Sequence, residues 1–524
     1  MKIRYIKSII PALAVALTMG IASCVNDLNI GPISPDISLD FSQDEVFAKI
    51  YATMALTGQE GPAGNGDVSG IDEGNSAFYR LIFTLNEYPT DEAICSWTDT
   101  HIPEMNVMGW GSSNGQVEGL YGRLMYDVTL CNHFLDQTEG LDDEKTARQR
   151  AEVRFIRALN YYYLMDVFGN VPFTETVSTE LPQQIKRADL FEHIDGELIA
   201  IESGMYDPRQ APFGRADKVA VWLLRARMYL NAEVYTGTAR WDDAATYAKM
   251  VMDSPYELAD NYAELFMADN DANPRAMKEI ILPIRQDGIN TISYGGSLYL
   301  IAATHTSGMT PWGTSEGWGG VRARKALVDK FFPNNNAPTA ANEAGMIAAA
   351  GDDRALFYGG GDRTVEINNT TVFKEGLSVA KWTNVRSDGL PTKDTKWVDT
   401  DIPFMRLGEA YLIYAEALFR ANNLTDPNGT ALATINDLRS RANASALPSI
   451  SLDQILDERA RELYFEGHRR TDLVRYGYFT TNRYMWDWKG GQRNGTAVSS
   501  IYNLYPLPVS DLIVNENLVQ NPGY

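Results

Sequence analysis

The stretch Ala151-Glu-Val-Arg-Phe-Ile-Arg-Ala-Leu-Asn-Tyr-Tyr-Tyr-Leu-Met165 decides the fold class of this chain. Its apolar residues recur at steps of three and four, a spacing that gives a helix one apolar face. Gly169 and Pro172 follow and end the helix, which we predict over residues 144–168. Blocks with the same spacing recur along the chain, at residues 117–137, 189–205, 218–234, 242–252, 404–421, 430–441 and 452–466. The protein is therefore predicted to be mainly α-helical.

Neighbouring blocks form helix–turn–helix pairs, with small residues such as Ala226, Ala245 and Ala415 where two helices could cross closely. This pattern resembles tetratricopeptide repeats without their strict consensus, and an ordinary irregular helical domain is the alternative. Residues 255–403 differ, because they are rich in Gly, Asn, Thr and Asp and contain short β-like runs. Long loops of this kind are usually functional. No break in composition separates a second domain, so we expect residues 41–524 to form one domain.

The N-terminus has the pattern of a bacterial lipoprotein. Lys2, Arg4 and Lys7 precede a short apolar run, and Ile21-Ala-Ser-Cys24 follows it. The run is shorter than the roughly 20 residues of a membrane-spanning helix, which disfavours the alternative of a transmembrane anchor. We predict a signal peptide over residues 1–23, lipidation of Cys24 and a tether over residues 24–40. Two or more acyl chains hold a protein stably on a membrane.

The chain is strongly acidic, with 68 Asp and Glu against 46 Lys and Arg and a net charge of −22. The predicted signal peptide carries only basic residues, so the mature chain is more acidic still. Such a body has no general attraction for nucleic acid or anionic lipid. Besides Cys24 there are only Cys95 and Cys131, which excludes a disulfide framework. One bridge between these two, or two unpaired thiols, both stay open.

Sequence signals for catalysis are weak. Gly313-Thr-Ser-Glu-Gly317 matches the Gly-x-Ser-x-Gly nucleophile elbow, but that motif needs an apolar strand before it and a helix directly after it. Neither is predicted here, because Trp312 precedes the motif and Trp318-Gly-Gly320 follows it. The five histidines form no zinc-type pair. A glycosidase pair of carboxylates stays open, since acidic residues are abundant and none stands out.

Asp269-Asn-Asp-Ala-Asn273 begins like an EF-hand calcium loop. It lacks the glycine at the sixth position, and Glu279 falls one residue short of the closing position. A looser Ca²⁺ site of oxygen ligands remains possible, built from Asp271 and Asn273 with Asp401 or Asp399 from another loop. The alternative is a solvated acidic turn, and no cofactor is required.

Several aromatic residues occupy polar, glycine-rich segments instead of periodic helical faces: Trp97, Tyr294, Trp312 and Trp318. Flat rings in loops can stack on sugar rings, whose C–H faces are apolar while their hydroxyls need hydrogen bonds. Arg80 and Asp72 could bind those hydroxyls through charge-assisted hydrogen bonds. The alternative is that each ring fills a local apolar cluster beneath its own loop.

The C-terminal stretch Glu458-Arg-Ala-Arg-Glu-Leu-Tyr-Phe-Glu-Gly-His-Arg-Arg-Thr-Asp-Leu-Val-Arg-Tyr-Gly477, together with Phe168-Gly-Asn-Val-Pro172, resembles the SusD/RagB family of outer-membrane lipoproteins. The likeness covers essentially the whole mature chain. It implies tetratricopeptide-like helix pairs that form a superhelical scaffold and carry an irregular, loop-rich lobe. It also implies a non-catalytic glycan receptor, surface-exposed on the outer membrane, that caps a SusC-type TonB-dependent transporter.

The likeness is strongest to the starch-binding member of that family, in segments such as Pro89-Thr-Asp-Glu92 and Trp486-Asp-Trp-Lys-Gly-Gly491. It implies that an aromatic arc of that member falls on three rings and its polar contacts on two side chains: Trp97, Tyr294, Trp318, Arg80 and Asp72. An asparagine expected near Thr100 is absent, so Thr100 or Asp99 takes its place or the contact is lost.

This resemblance predicts a surface receptor for α-1,4-glucans that binds malto-oligosaccharides. Three alternatives stay open. They are a receptor of the same family for a different glycan, a surface glycoside hydrolase, and a purely structural lid for the transporter.

Overall fold

A computed structural model describes residues 41–99, 101–309 and 312–524. The predicted signal peptide, Cys24, the tether and Thr100 lie outside the described residues.

Most of the regular structure is helical. The helices are α1 (Gln43–Ala55), α2 (Phe78–Glu87), α3 (Ile102–Asn106), α4 (Gly115–Gln137), α5 (Glu144–Phe168), α6 (Arg187–Ile201), α7 (Lys218–Leu230), α8 (Ala232–Thr236), α9 (Trp241–Met252), α10 (Pro274–Met277), α11 (Ser297–Ala302), α12 (Lys325–Phe331), α13 (Glu343–Ala350), α14 (Leu407–Ala421), α15 (Thr430–Arg441), α16 (Leu452–Leu463), α17 (Arg469–Arg475) and α18 (Val509–Val514). This confirms the prediction of a mainly α-helical protein.

The strands are short and form antiparallel pairs. They are β1 (Ala93–Cys95), β2 (Val171–Phe173), β3 (Gln183–Ile185), β4 (Ile280–Ile284), β5 (Val321–Ala323), β6 (Phe357–Tyr358), β7 (Ser378–Val379) and β8 (Ile402–Arg406). In the described residues β1 pairs with β5, β2 with β3, β4 with β8 and β6 with β7. Six of the eight lie between residues 280 and 406 or pair with a strand that does, so they mainly brace the loop-rich lobe.

Packed helix pairs form the scaffold beneath that lobe. Helix α5 packs between α4 and α6, while α9 packs between α7 and α14, and α14 also contacts α15 and α16. The Asp143 side chain caps the start of α5 by accepting a hydrogen bond from the Thr146 amide at 3.0 Å. Gly169, at a φ of +79°, ends the helix. The second half of α5 is buried on nearly every side, so its packing stabilises the fold more than its intrinsic helix propensity does.

Three predicted helix boundaries are wrong. The block at residues 452–466 ends early, because helix α16 stops at Leu463 and Phe465 has a left-handed backbone at a φ of +61°. Residues 218–234 are two helices, because Asn231 interrupts them and its side-chain amide donates to the Arg227 carbonyl at 2.9 Å. Phe404 lies in strand β8 and not in a helix, because β8 pairs with the fully buried strand β4. A strand buried on both faces shows no alternating pattern and resembles a buried helix in sequence.

Buried arginines hold the C-terminal motif against the rest of the chain. Arg406 donates to Glu279 at 2.9 Å and to Glu462 at 2.7 Å. Arg469 makes a bidentate pair with Asp91, at 2.6 and 2.7 Å. All five side chains are almost fully buried. Breaking one partner would leave an uncompensated buried charge, so the motif is held together strongly.

Cys95 and Cys131 are free, buried thiols, so the alternative of a bridge between them is not realised. Burial raises the pKa of the Cys95 thiol to about 11. No helix in the described part of the chain is both long enough and apolar enough to cross a membrane.

Candidate functional site

The pairing of β1 with β5 brings two of the predicted rings together. Trp97 comes two residues after β1 and Trp318 three residues before β5, and Cys95 pairs with Val321 across the ladder. The Ser96 amide continues the ladder by donating to the Gly320 carbonyl at 2.9 Å. Both indoles therefore project from the same end of one short sheet.

The third ring, Tyr294, precedes helix α11, and the C-terminal end of that helix holds the Trp318 loop. The Trp318 amide donates to the Ala302 carbonyl at 2.7 Å, and the Gly320 amide donates to the Ala303 carbonyl at 2.8 Å. One short helix thus fixes the position of Trp318 relative to Tyr294.

The three rings follow one another in a row. The ring centroids of Trp97 and Trp318 are 6.5 Å apart with planes inclined at 48°, and those of Trp318 and Tyr294 are 6.1 Å apart at 50°. All three rings are half-buried. Since each step changes the ring plane by about the same angle, the row is angled instead of flat.

The row borders two adjoining clefts that share Asp72 and Trp318. One, of about 620 Å³, is also lined by Arg80, Trp97 and Asp99. The other, of about 560 Å³, is lined by Tyr294 together with residues 62–64, Glu73 and Gly74. The exposed Asp72 carboxylate lies between the two clefts. A long ligand could therefore follow the row from one cleft into the next.

Arg80 lies beneath the row on helix α2 and is only 9% exposed. Its guanidinium stacks on the ring of Tyr299 at 4.4 Å and is 5.8 Å from the Trp97 ring. Among the described residues its one hydrogen bond runs to the Tyr294 carbonyl, at 3.5 Å. A rigid guanidinium with unused N–H groups facing a cleft suits recognition of neutral hydroxyls.

Asp99 is exposed at the rim of the first cleft, and His101, which has a left-handed backbone at φ +72°, follows it on the same rim. Thr100 lies between them and outside the described residues, so its predicted role stays a prediction.

Burial and the neighbouring Asp72 raise the pKa of Glu73, in the second cleft, to about 7.

Gly320 lets Trp97 lie flat against the backbone. A Cβ at Gly320 would fall 2.5 Å from the Cε2 and Nε1 atoms of the indole. The indole N–H donates to the Gly319 carbonyl at 3.0 Å, which fixes the ring in this position.

Sequence reasoning missed several residues of the site. Tyr299, which supports Arg80, lies on a buried helix and gives no signal of its own. Trp397 packs against Tyr294 with centroids 5.1 Å apart, and Lys396 and Glu316 contact Tyr294 and Trp318 through hydrogen bonds. Trp397 occupies a polar loop like the other rings, so the same criterion would have found it.

Trp312, the fourth ring in a polar segment, does not belong to the row, so the alternative of a local apolar cluster holds for it. It is 2% exposed, packs against His305 and donates to Glu343 at 3.2 Å. Residues 313–317 form irregular backbone, in which the exposed Ser315 donates its amide N–H to the Thr395 carbonyl. Among the described residues, neither the strand nor the helix that a nucleophile elbow requires flanks them.

The predicted calcium ligands lie near one another but have other contacts. Arg285 lies 3.4 Å from Asp271 and 3.3 Å from Asp401. The Asn273 side chain caps helix α10 and donates to Glu264. Burial raises the pKa of Asp401 to about 8, and its Oδ2 accepts no hydrogen bond from any described residue. The two carboxylates suit a cation if Arg285 moves away, and the Ca²⁺ site stays a prediction.

A sequence profile of the SusD family matches residues 337–524. The starch-binding protein SusD of Bacteroides thetaiotaomicron is 49% identical to this chain in an alignment that covers 100% of both. A SusD-like protein of Formosa agariphila, P25, is 26% identical and covers 85% of this chain and 84% of its own length.

Solved structures show the same fold. A SusD-like carbohydrate binding protein of Bacteroides fragilis superposes with a TM-score of 0.70 at 19% identity, covering 91% of this chain and 98% of its own. Surface glycan-binding protein A of B. thetaiotaomicron, in complex with laminarihexaose, superposes with a TM-score of 0.66 at 20% identity. The superposition covers 91% of this chain and 98% of that protein. Full-length identity of 49% to a curated member confirms the resemblance seen in the C-terminal motif. The chain belongs to the SusD family.

Proposed function

We propose that this protein is a lipid-anchored receptor on the cell surface that binds starch-type α-1,4-glucans without cleaving them. It delivers malto-oligosaccharides to a SusC-type TonB-dependent transporter in the outer membrane. The observation that carries the proposal is the angled row of Trp97, Trp318 and Tyr294 along two adjoining clefts. The 49% identity to a starch-binding protein supports it.

The row suits the shape of the ligand. An α-1,4-glucan winds into a helix and presents successive sugar rings along a curve, whereas a flat β-1,4-glucan presents them along a line. Ring planes inclined at 48° and 50° at successive steps suit a curved ligand better than a flat one, which needs nearly parallel rings. Arg80 donates hydrogen bonds to the hydroxyls at the edge of the stacked sugars, and the Asp72 carboxylate accepts hydrogen bonds from them.

The binding site is tested by replacing the three rings together, as Trp97→Ala, Tyr294→Ala and Trp318→Ala. The triple variant should migrate freely through a native gel that contains starch, whereas the wild type is retarded. Leu390→Ala, which removes a 60% exposed apolar side chain from the same lobe, is the control. Unchanged retardation of the triple variant would reject this site.

Titration calorimetry separates the proposed ligand from other glycans. We expect heat on addition of α-cyclodextrin or maltoheptaose, and none on addition of the flat β-1,4-glucan cellohexaose or the β-1,3-glucan laminarin. Binding of laminarin alone would favour a receptor of the same family for a different glycan. Binding of neither, with normal co-purification of a large barrel partner, would favour a structural lid.

The absence of catalysis is tested directly. Prolonged incubation of the protein with maltoheptaose should release no new reducing ends. Release in proportion to protein concentration would favour a surface glycoside hydrolase instead.

The anchor is tested through Cys24. The variant Cys24→Ser should leave the membrane fraction, because without the thiol no diacylglycerol can be attached, and two or more chains are needed for stable binding. Cys95→Ser, at a buried thiol, is the matched control.

A further inference from the structure

Two charged side chains connect the edges of neighbouring rings in the row. The Trp318 indole N–H donates to Glu316 Oε2 at 2.7 Å. The Lys396 ammonium donates to the Tyr294 hydroxyl at 2.9 Å and lies 3.6 Å from Glu316 Oε1. The polar edge of each ring is therefore tied to the same ion pair.

The ion pair itself is held in place. The Lys396 ammonium lies 4.7 Å from the centre of the Trp397 ring, a distance typical of a cation–π contact. The amides of Lys396 and Trp397 both donate to Asp394 Oδ1, at 2.7 and 2.9 Å. The Thr314 hydroxyl donates to the Lys396 carbonyl at 2.6 Å, which joins the Lys396 loop to the Glu316 loop.

A surface ion pair of this kind contributes little to folding. The two side chains are 33% and 24% exposed, and exposed pairs stabilise a fold by about 0–1 kcal/mol. The pair holds the polar edges of both rings in place, and the Lys396 ammonium, 4.8 Å from the centre of the Tyr294 ring, restrains the plane of that ring as well. Pre-organised rings lose less conformational freedom on binding.

We infer that Glu316 and Lys396, of which Lys396 stacks on Trp397, form a clamp that fixes the 50° angle between the Trp318 and Tyr294 rings and thereby selects glucans of matching curvature. The inference rests on the proposed function. Both residues are positioning residues, since they act through the two rings.

The clamp is tested by a double-mutant cycle on Lys396→Met and Tyr294→Phe, which removes the donor or the acceptor and leaves the Tyr294 ring. Calorimetry with α-cyclodextrin, whose curvature is locked, should show a loss of affinity of about fivefold in each single variant, as for one hydrogen bond. The double variant should lose no more affinity for α-cyclodextrin than either single variant does, because both substitutions remove the same contact. The affinity of these variants for linear maltoheptaose should fall less than their affinity for the cyclic glucan, because a linear chain can adapt to an altered ring angle.

Two further variants complete the test. Lys396→Arg keeps a donor and should restore most of the affinity for α-cyclodextrin, while Lys374→Met, at an exposed lysine of the same lobe, should leave it unchanged. Losses that multiply in the double variant, or wild-type affinity in Lys396→Met, would overturn the clamp. Failure of the wild type to bind either glucan would instead overturn the proposed function.

Discussion

Replacing Gly320 by alanine places a methyl group inside the indole of Trp97. The new Cβ would lie 2.5 Å from the ring atoms Cε2 and Nε1. Carbon atoms in contact keep about 3.5–4.0 Å, so the indole must move by about 1 Å. The backbone of Gly320 does not lie in the left-handed region, so the contact with the ring accounts for the whole effect.

The displaced ring loses more than its position. The hydrogen bond from its N–H to the Gly319 carbonyl, at 3.0 Å, cannot survive a shift of that size without distortion. Overpacking at this contact costs about 1–3 kcal/mol, and loss of the hydrogen bond costs about 1 kcal/mol more. The protein without ligand relieves part of this total by turning the ring outward. We expect the affinity for α-cyclodextrin to fall at least about tenfold, which corresponds to about 1.4 kcal/mol.

Calorimetry of Gly320→Ala beside Gly308→Ala measures this loss. Gly308 lies in the same lobe, and a Cβ there meets no atom within 4 Å. The control should bind like the wild type. If both variants are folded and bind α-cyclodextrin equally well, Trp97 does not contact the glucan in the way that the row of rings requires.

Three further outcomes are expected. Asp91→Asn should lower the free energy of unfolding by about 3–5 kcal/mol in denaturant titrations, because buried Arg469 loses its bidentate partner and keeps only Glu92, at 3.5 Å; a loss under 1 kcal/mol would contradict this. Burial raises the pKa of Asp127 to about 7, so between about pH 4 and 7 the folded state holds a proton that the unfolded state has lost, and stability falls as the pH rises through that window. Asp127→Asn should reduce this slope of the unfolding temperature without abolishing it, because the raised pKa values of Glu73 and Asp401 add slopes of the same sign; an unchanged slope would assign it to those groups. Excess Ca²⁺ should raise the unfolding temperature of the wild type, by the equivalent of about 2.7 kcal/mol at a hundredfold excess over Kd, but not that of the variant Asp271→Asn with Asp401→Asn; equal shifts in both would reject the predicted ligands.

The sequence predicts the helices that have one apolar face and clear caps. Both bounds of α5 are as expected, since Asp143 and Gly169 mark its ends chemically. Helix α2 escapes prediction because it is short and no side chain caps its start, and even its polar residues Arg80, Thr84 and Glu87 are buried. The short strands also escape prediction, because their partners lie far along the chain. For example, β1 pairs with a strand more than 200 residues away.

The site could be predicted only in part. Rings in polar loops identify Trp97, Tyr294 and Trp318, and the structure brings these three together. The same criterion also selects Trp312, which is buried, because exposure depends on what packs over a loop and not on the loop itself. Lys396 gives no signal, because one lysine among 46 basic residues is distinguished only by the two rings beside it.

The pairing of Asp91 with Arg469 spans 378 residues and has a consequence for biosynthesis. Until the last part of the chain leaves the ribosome, Asp91 lacks its bidentate arginine partner and has only the Lys330 ammonium, 3.6 Å away, so it cannot be buried at low cost. The nascent polypeptide therefore cannot complete its core early, and such non-local contacts form slowly. A chain that completes its core only with its C-terminal part stays unfolded for longer, and translocation channels need an unfolded polypeptide.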